Sequence, residues 1–324
     1  MEQKIVTISN EALTVQIDLH GAMLWSVREN NGGTEYLWQG DEKYWTGKAP
    51  NLFPYIARMT DKRYRLFGQE YEMDIHGFAR DNDFQVVKQA ADALILQLQD
   101  TEETRKRYPY QFTLTIGYQL TENCIDITYH VENKDEKVMY FGIGGHPGFN
   151  IPLEEGLKFE DYYLEFGGEC KPKRVMFSPD CFVQGEPTPY PLQNDRLLSL
   201  HHELFDDDAI VLTEMDSQVT VKSDGGKKAV RVTYPDMPYV GFWHKPHSDA
   251  PYVCVEPWSS LPSRKGIVED LATQPGLVRL PAGEEYINRW SMSYRDARRY
   301  GADAVFHGGV CVAESRSFGR CEVS

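Results

Sequence analysis

The chain has 324 residues, of which 41% are hydrophobic and 26% are charged, values typical of a globular protein with a substantial core. Acidic residues outnumber basic ones by 49 to 34, and the net charge of −15 argues against a nucleic-acid or membrane-surface function. No apolar stretch reaches the roughly 20 residues of a spanning helix, and the N-terminal sequence does not resemble a signal peptide. We therefore expect a cytoplasmic protein whose six scattered cysteines are reduced thiols.

Alternation of apolar and polar residues, the pattern of a half-buried β-strand, recurs along most of the chain. In chain order these segments are ALTVQIDL (12–19), MLWSVRE (23–29), FQVVKQ (84–89), ALILQLQ (93–99), FTLTIGYQL (112–120), CIDITYHVEN (124–133), YYLEF (162–166), VTVKS (219–223), AVRVTY (229–234) and YVGFW (239–243). Only HHELFDD (201–207) and RKGIVEDLATQ (264–274) predict short helices. Many strands without βαβ alternation predict an all-β protein, built as a sandwich or barrel of antiparallel sheets.

The domain is predicted to cover residues 1–294, with the Pro-rich segment 178–193 as a long loop inside it. From Arg295 onward there are five Arg and no Lys, whereas residues 1–294 contain 16 Lys and 13 Arg. The last segment, 295–324, also lacks strand alternation and is rich in Gly, Ala and Ser. This composition is typical of a vector-derived or out-of-frame extension, with a natural tail as the alternative. We expect the segment to be disordered and outside the fold.

A histidine flanked by glycines and a proline follows the apolar segment VMYFGI (138–143). In GGHPGFN (144–150), Pro147 fixes its own φ and the three glycines permit backbone angles that other residues avoid. Such a loop can present His146 rigidly at a strand end, where functional residues tend to lie. The alternative is a structural turn whose histidine caps neighbouring carbonyls. A dinucleotide-binding loop is rejected because Pro147 occupies the position of the third glycine of that fingerprint.

The segment DIHGFARD (74–81) repeats the arrangement of a histidine followed by glycine and an aromatic residue. Its His76 is a second candidate site residue. The alternative is a loop held by a contact between Arg80 and Asp81, with the histidine as a bystander. Two separate loops of this kind favour a shared function.

The segment YVCVEPW (252–258) predicts a buried strand that carries a carboxylate. A buried Glu256 needs either a partner or a chemical role, and an ion pair with an arginine is the alternative explanation. Trp243 and Trp258 offer flat apolar faces, suited to one side of a sugar ring or to ordinary packing. No metal site is predicted, because the cysteines form no Cys-x-x-Cys pair and Pro246 interrupts the His-x-x-His spacing of HKPH (244–247).

The segments NLFPYIARM (51–59), HGFARD (76–81), GGHPGF (144–149) and CVEPW (254–258) together resemble, in this order and spacing, the motifs of the aldose 1-epimerase (mutarotase) family, in its LacX-like branch. The resemblance spans about residues 1–294. It implies a large antiparallel β-sandwich of the galactose mutarotase type, with the site in a cleft on one sheet.

The resemblance also implies roles for individual residues. His146 would be the general acid at the sugar ring oxygen, and Glu256 would be the base that takes the proton of the anomeric hydroxyl. The implied substrate-binding residues, taken together with the aromatic face noted above, are Arg58, His76, Asp208 and Trp243. The sequence leaves open whether Asp207 or Asp208 contacts the sugar, because the family's aspartate falls within FDDDAIVL (205–212).

The predicted function is interconversion of the α and β anomers of a free aldose of the galactose or glucose class. Opening and closing the ring needs one proton acceptor and one proton donor, and neither a metal nor another cofactor. The expected partner is a small-molecule sugar, and the expected assembly is a monomer or homodimer. The alternatives are a carbohydrate-binding protein without turnover, a glycoside hydrolase with Glu256 and Asp207 or Asp208 as paired carboxylates, and a sugar-phosphate epimerase. The last would need a cationic pocket, for which Lys62, Arg63 and Arg65 are the candidates.

Overall fold

The computed structural model describes residues 4–296, and the predicted all-β fold is confirmed. In chain order the strands are β1 (Ile5–Ser9), β2 (Leu13–Asp18), β3 (Met23–Glu29), β4 (Asn51–Leu52), β5 (Arg63–Leu66), β6 (Gln69–Glu72), β7 (Gln85–Gln89), β8 (Ala93–Gln99), β9 (Phe112–Thr121), β10 (Cys124–Asn133), β11 (Met139–Phe141), β12 (Gly144–Gly145), β13 (Gly148–Asn150), β14 (Tyr162–Phe166), β15 (Lys173–Arg174), β16 (Thr188–Pro189), β17 (Leu197–Ser199), β18 (Ile210–Thr213), β19 (Gln218–Ser223), β20 (Lys228–Thr233), β21 (Tyr239–Trp243), β22 (Tyr252–Trp258), β23 (Val278–Leu280) and β24 (Glu285–Asp296).

Two large antiparallel sheets dominate the fold. One has nine strands in the order β17-β14-β19-β20-β24-β10-β9-β8-β7, and the other has the order β16-β15-β18-β21-β22-β12-β4, with β13 also paired to β22. Smaller sheets are formed by β1-β2-β3, β5-β6 and β11-β23. Buried side chains from both large sheets belong to one hydrophobic cluster, so the core lies between the sheets as in a β-sandwich.

The nine-stranded sheet follows directly from the alternation in the sequence. In β9 and β10 the apolar face is fully buried, from Phe112 and Ile116 on one strand to Ile127 and Val131 on the other. The two strands pair through a tight turn at Glu122 and Asn123. Since successive side chains of a strand point to opposite faces, alternation places one apolar row against the second sheet.

Helices are few, and one predicted helix is wrong. Residues 264–274 form turns, because the buried Glu269 side chain accepts hydrogen bonds from Arg264 and the Glu269 carbonyl accepts one from the Arg65 N–H at 2.7 Å. Those partners replace the bonds of a helical turn. The predicted helix near residue 201 is a short 3₁₀ helix, His202–Phe205.

One short α-helix, α1 (Glu102–Arg107), was not predicted. It is stabilised at its start by Thr101, whose hydroxyl accepts the Thr104 N–H at 3.1 Å. The other 3₁₀ helices of the described residues are Thr60–Lys62, Ala79–Asp81 and Phe159–Asp161. None of the helices within residues 4–296 has the length and apolar character needed to cross a membrane.

The last strand extends past the predicted end of the domain. β24 continues to Asp296, which pairs with Lys228, so the regular structure includes two residues beyond the predicted boundary at 294. The prediction of a disordered or foreign tail falls mainly on residues 297–324, which lie outside the described residues.

Candidate active site

Cross-strand register places His146 opposite Glu256. Gly144 pairs with Trp258, and Gly148 pairs with Cys254, on either side of the His146 position. In an antiparallel pair this register aligns residue 146 with residue 256. The imidazole Nε2 lies 3.3 Å from the Glu256 carboxylate Oε2, and both side chains are almost completely buried. Proline lacks the N–H that strand pairing uses, yet Pro257 does not end the strand, and β22 continues through it to Trp258.

The glycines beside His146 are required by close packing. A Cβ on Gly144 would lie 2.6 Å from the Pro257 carbonyl oxygen, and one on Gly145 would lie 2.5 Å from the Trp290 ring. Neither glycine has a positive φ, so the unusual backbone angles expected from the sequence are not the reason for them. The glycines let this segment enter the sheet beside β22 and thereby bring the imidazole to the carboxylate.

His76 is held by the backbone of Ala57, which lies 19 residues earlier in the chain. Its φ is +67°, its N–H donates to the Ala57 carbonyl at 2.9 Å, and its ring Nδ1 accepts the Ala57 N–H at 3.1 Å. Because Nδ1 is an acceptor, the neutral ring carries its proton on Nε2. The His76 ring meets the His146 ring edge to face, with centroids 5.5 Å apart. Burial, and then the positive charges of His146, Arg80 and Arg58, lower the pKa of His76 well below its usual value. His76 can therefore donate a hydrogen bond at neutral pH.

Two tryptophans surround the His146 ring. The centroid of Trp45 lies 5.0 Å from that of His146, and Trp243 approaches it edge to face at 5.9 Å. The two indoles also contact each other at 5.6 Å. Trp243 was among the predicted residues. Trp45 was missed, since nothing in its local sequence distinguishes it from a packing tryptophan.

The structure distinguishes the two candidate aspartates. Asp207 is exposed. Asp208 has a φ of +70°, and its carboxylate accepts the Cys181 thiol at 3.0 Å and the Ala209 N–H at 2.9 Å. Its negative charge raises the pKa of both His146 and Glu256. Asp208 is therefore the aspartate that belongs to the candidate site, which we define as His76, His146, Asp208, Trp243 and Glu256.

Two arginines lie at the margin of the candidate site. Arg58 is exposed, its guanidinium donates to the Asp180 carbonyl at 3.5 Å, and its charge contributes to lowering the pKa of His76. Arg80 lowers the pKa of both histidines, with its Nε 3.6 Å from the Asp81 carboxylate. The sequence interpretation treated Arg80 only as part of a structural contact, although it lies four residues after His76 in the HGFARD motif.

Burial controls the protonation of the central pair. It lowers the pKa of His146 to about 4 and, together with Asp208, raises the pKa of Glu256 well above its usual value. Burial thus disfavours the charged form of both groups and favours the neutral imidazole and the protonated carboxyl relative to exposed side chains. The His146 Nδ1 is buried without a hydrogen-bond partner among the described residues. The arrangement can accept one proton and donate another across a short distance.

The residues that could hold a metal differ from those considered in the sequence. His244 is fully buried and its Nε2 lies 3.2 Å from the His202 Nδ1, whereas His247 lies 3.2 Å from the Asp206 carboxylate. A different group, His146 with Cys254 and Glu256, brings nitrogen, sulfur and oxygen atoms within 4.8 Å of one another. Cys254 was not among the predicted site residues.

The protein is a β-sandwich with a buried histidine–carboxylate pair, flanked by a second histidine and two tryptophans. Such an arrangement is chemically suited to proton transfer on a small polar molecule. A sequence model described as aldose 1-epimerase matches residues 4–270, and the chain belongs to the aldose 1-epimerase family. The chromosomal LacX protein of Lactococcus lactis subsp. lactis is 34% identical over 265 residues, which cover 79% of this chain and 88% of that protein.

Solved structures show the same relationship. A galactose mutarotase related enzyme from Lactobacillus acidophilus matches with a TM-score of 0.86 at 33% identity, covering 90% of this chain and 98% of that one. A galactose mutarotase-like protein from Lactobacillus casei matches with a TM-score of 0.85 at 32% identity, covering 90% of this chain and 100% of that one. The galactose mutarotase-like sandwich expected from the sequence is thus confirmed.

Proposed function

We propose that the protein is an aldose 1-epimerase that interconverts the α and β anomers of a free aldose of the galactose or glucose class. The observation that carries the proposal is the 3.3 Å approach of the His146 Nε2 to the Glu256 carboxylate, in a buried setting bounded by indole rings. Anomer exchange opens a cyclic hemiacetal, rotates the C1–C2 bond and closes the ring again. It needs an acid and a base close to one sugar ring, and this pair supplies both.

The proton moves in a balanced cycle. Glu256 as carboxylate accepts the proton of the C1 hydroxyl while His146 as imidazolium donates one to the ring oxygen, and the C1–O5 bond breaks. Ring closure on the other face of C1 reverses both transfers. In the free protein, burial disfavours the charged forms of both side chains. A sugar hydroxyl donating to the carboxylate stabilises its charged form, so binding favours transfer of the proton to His146.

The remaining residues support binding and orientation of the sugar. His76 Nε2 donates a hydrogen bond, Asp208 accepts hydrogen bonds from sugar hydroxyls, and Arg58 contacts oxygens at the margin. Trp243 provides an apolar face for the C–H side of the ring. The support for these roles is their placement around the central pair, together with family membership.

The rival functions receive less support from the same contacts. A carbohydrate-binding protein has no need of a buried histidine–carboxylate pair. A glycoside hydrolase needs two carboxyl groups at a fixed separation, whereas the group next to Glu256 is an imidazole.

The cationic residues considered for a sugar phosphate are engaged elsewhere. Lys62 forms an ion pair with Asp74, and Arg63 and Arg65 both pair with Glu70. Their charges are balanced on the surface, which disfavours a phosphate pocket at this place.

Polarimetry tests the proposal directly. Freshly dissolved α-galactose and α-glucose are followed in buffer with and without protein, and the spontaneous rate is subtracted. A protein-dependent rate that saturates with sugar is expected. Release of reducing ends from disaccharides would indicate a hydrolase instead, and binding of galactose without acceleration would indicate a carbohydrate-binding protein.

A further inference from the structure

The strand that carries Glu256 also presents a thiol to the same place. Cys254 lies two residues before Glu256 on β22, and residues two apart on a strand point to the same face. Its side chain is fully buried. A His146 nitrogen, the Cys254 Sγ and a Glu256 oxygen all lie within 4.8 Å of one another. The mechanism proposed above has no use for this thiol.

We propose that His146, Cys254 and Glu256 form a binding site for a divalent cation of the Zn²⁺ class, which inhibits the protein reversibly by occupying its acid–base pair. Zinc takes tetrahedral sets of nitrogen, sulfur and oxygen ligands at about 2.0–2.3 Å. Such a set needs its donor atoms about 3.3–3.8 Å apart, so the donor atoms, which now lie within 4.8 Å of one another, have to approach by at most about 1.0–1.5 Å.

The charges of the three side chains suit a divalent cation. A neutral imidazole such as that of His146 has a lone pair to offer the ion. Metal binding would release the protons of the Cys254 thiol and the Glu256 carboxyl group, and the resulting thiolate and carboxylate would balance the two positive charges of the ion. The net charge of the buried set is then zero, which limits the cost of burying it.

The ligand types also predict selectivity. A thiolate and an imidazole favour Zn²⁺, Cd²⁺ and Co²⁺, whereas Mg²⁺ and Ca²⁺ prefer six or more oxygen ligands. We therefore expect millimolar Mg²⁺ to leave the protein unaffected. A nearby pair of histidines, His202 and His244, is a competing place for a soft cation but contains no sulfur.

Cobalt spectroscopy distinguishes the proposed site from the histidine pair. Titration of the full chain with Co²⁺ is expected to give a thiolate-to-metal charge-transfer band in the near ultraviolet, displaced by Zn²⁺. The difference spectrum between wild type and Cys254→Ser should contain that band, while Cys170→Ser, which alters a partly exposed thiol, should behave as wild type. Absence of the band in wild type, or an equal band in Cys254→Ser, would overturn the proposal.

Inhibition provides the second readout. The Zn²⁺ concentration that halves the mutarotation rate should rise at least about 100-fold in Cys254→Ser, measured against that variant's own rate with EDTA, since loss of even an outer-shell partner typically costs 10- to 100-fold in affinity. Equal sensitivity of the two proteins would contradict the site. The cobalt band needs no turnover, so it tests the metal site even if the mutarotase proposal fails.

Discussion

Asp208 acts on both members of the proposed acid–base pair. Its carboxylate opposes the lowering of the His146 pKa by burial and adds to the raising of the Glu256 pKa by burial, and burial is the larger cause in both cases. Activity requires one proton on the pair, so it should be lost below the pKa of His146, about 4, and again above the raised pKa of Glu256. Removing the charge of Asp208 should lower both values.

We therefore expect Asp208→Asn to move both limbs of the pH profile of kcat/KM to lower pH. The variant should also lose about 10- to 100-fold in kcat/KM at its optimum, because it replaces a charged hydrogen-bond acceptor for the sugar. Polarimetry between about pH 3.5 and 10, a range that includes the ordinary pKa values of carboxyl and imidazole groups, measures both effects. Asp207→Asn, which removes the exposed neighbouring carboxylate, is the control and should keep the wild-type profile. Limbs that stay in place in Asp208→Asn would show that Asp208 does not act on the pair.

Local sequence motifs were enough to predict the candidate site residues whose position is set by the neighbouring backbone. His76 and His146 were predicted from loops whose glycines and proline are visible in the sequence, and Glu256 was predicted from a carboxylate in a buried strand. Trp45 and Cys254 could not be singled out, because they reach His146 through cross-strand register and packing between distant segments. The two-residue spacing of Cys254 and Glu256 was the one available signal.

At the scale of elements, close approach between backbones fixes the loop that carries His76. Gly77 has a φ of +72°, and a Cβ there would lie 2.3 Å from the Phe53 carbonyl oxygen. Gly68 has a similar φ of +77° but no atom within 4 Å of its Cβ position. Both glycines therefore have a positive φ, but only Gly77 is packed against other backbone atoms.

This pair of glycines gives a matched comparison. Gly68→Ala should cost about 1 kcal/mol of unfolding free energy, for the positive φ alone. Gly77→Ala should cost about 1–3 kcal/mol more, because the backbone must also move away from Phe53. Denaturant unfolding of both variants measures the difference. Equal losses would show that packing against Phe53 does not constrain the loop.

The elements themselves were predictable to different degrees. Strands β9 and β10 follow from strict alternation, since a long apolar row has one sheet face to occupy. The segment 264–274 has a helical composition but forms turns, because Glu269 and its carbonyl are bound by Arg264 and Arg65. Those partners are close only after folding. Helix α1 escaped prediction because a six-residue helix has too few turns for an apolar period to show.

At the scale of the whole molecule, the buried Glu256 is expected to reduce stability. Its folded-state pKa is raised above the ordinary 4.5, so the folded protein retains a proton that the unfolded chain releases. The unfolded state therefore gains relative stability as pH rises above 4.5, up to the folded-state pKa. Glutamine has the same shape and does not ionise, so it removes this cost.

Glu256→Gln should accordingly unfold at a higher temperature than wild type at pH 7–8, by roughly 2 °C for each kcal/mol gained. Below the unfolded-state pKa of 4.5 the difference should shrink. Glu269→Gln is the contrasting control, because that buried carboxylate accepts hydrogen bonds from the Arg264 side chain at 2.9 and 2.8 Å. The Glu269→Gln variant should lose about 1–3 kcal/mol of unfolding free energy. A Glu256→Gln protein less stable than wild type at pH 7–8 would mean that the carboxyl group has stabilising partners.

The central claim is that Glu256 and His146 exchange protons with a sugar ring, and the mutarotation rate of Glu256→Gln tests it most directly. Optical rotation of freshly dissolved α-galactose or α-glucose is followed at pH 7, after subtraction of the spontaneous rate. The variant keeps the length and hydrogen-bonding shape of the side chain but has no basicity. We predict a fall in kcat of roughly 10²-fold or more with little change in sugar affinity, because the loss falls on the transition state. A Glu256→Gln protein that equilibrates the anomers as fast as wild type would contradict the account.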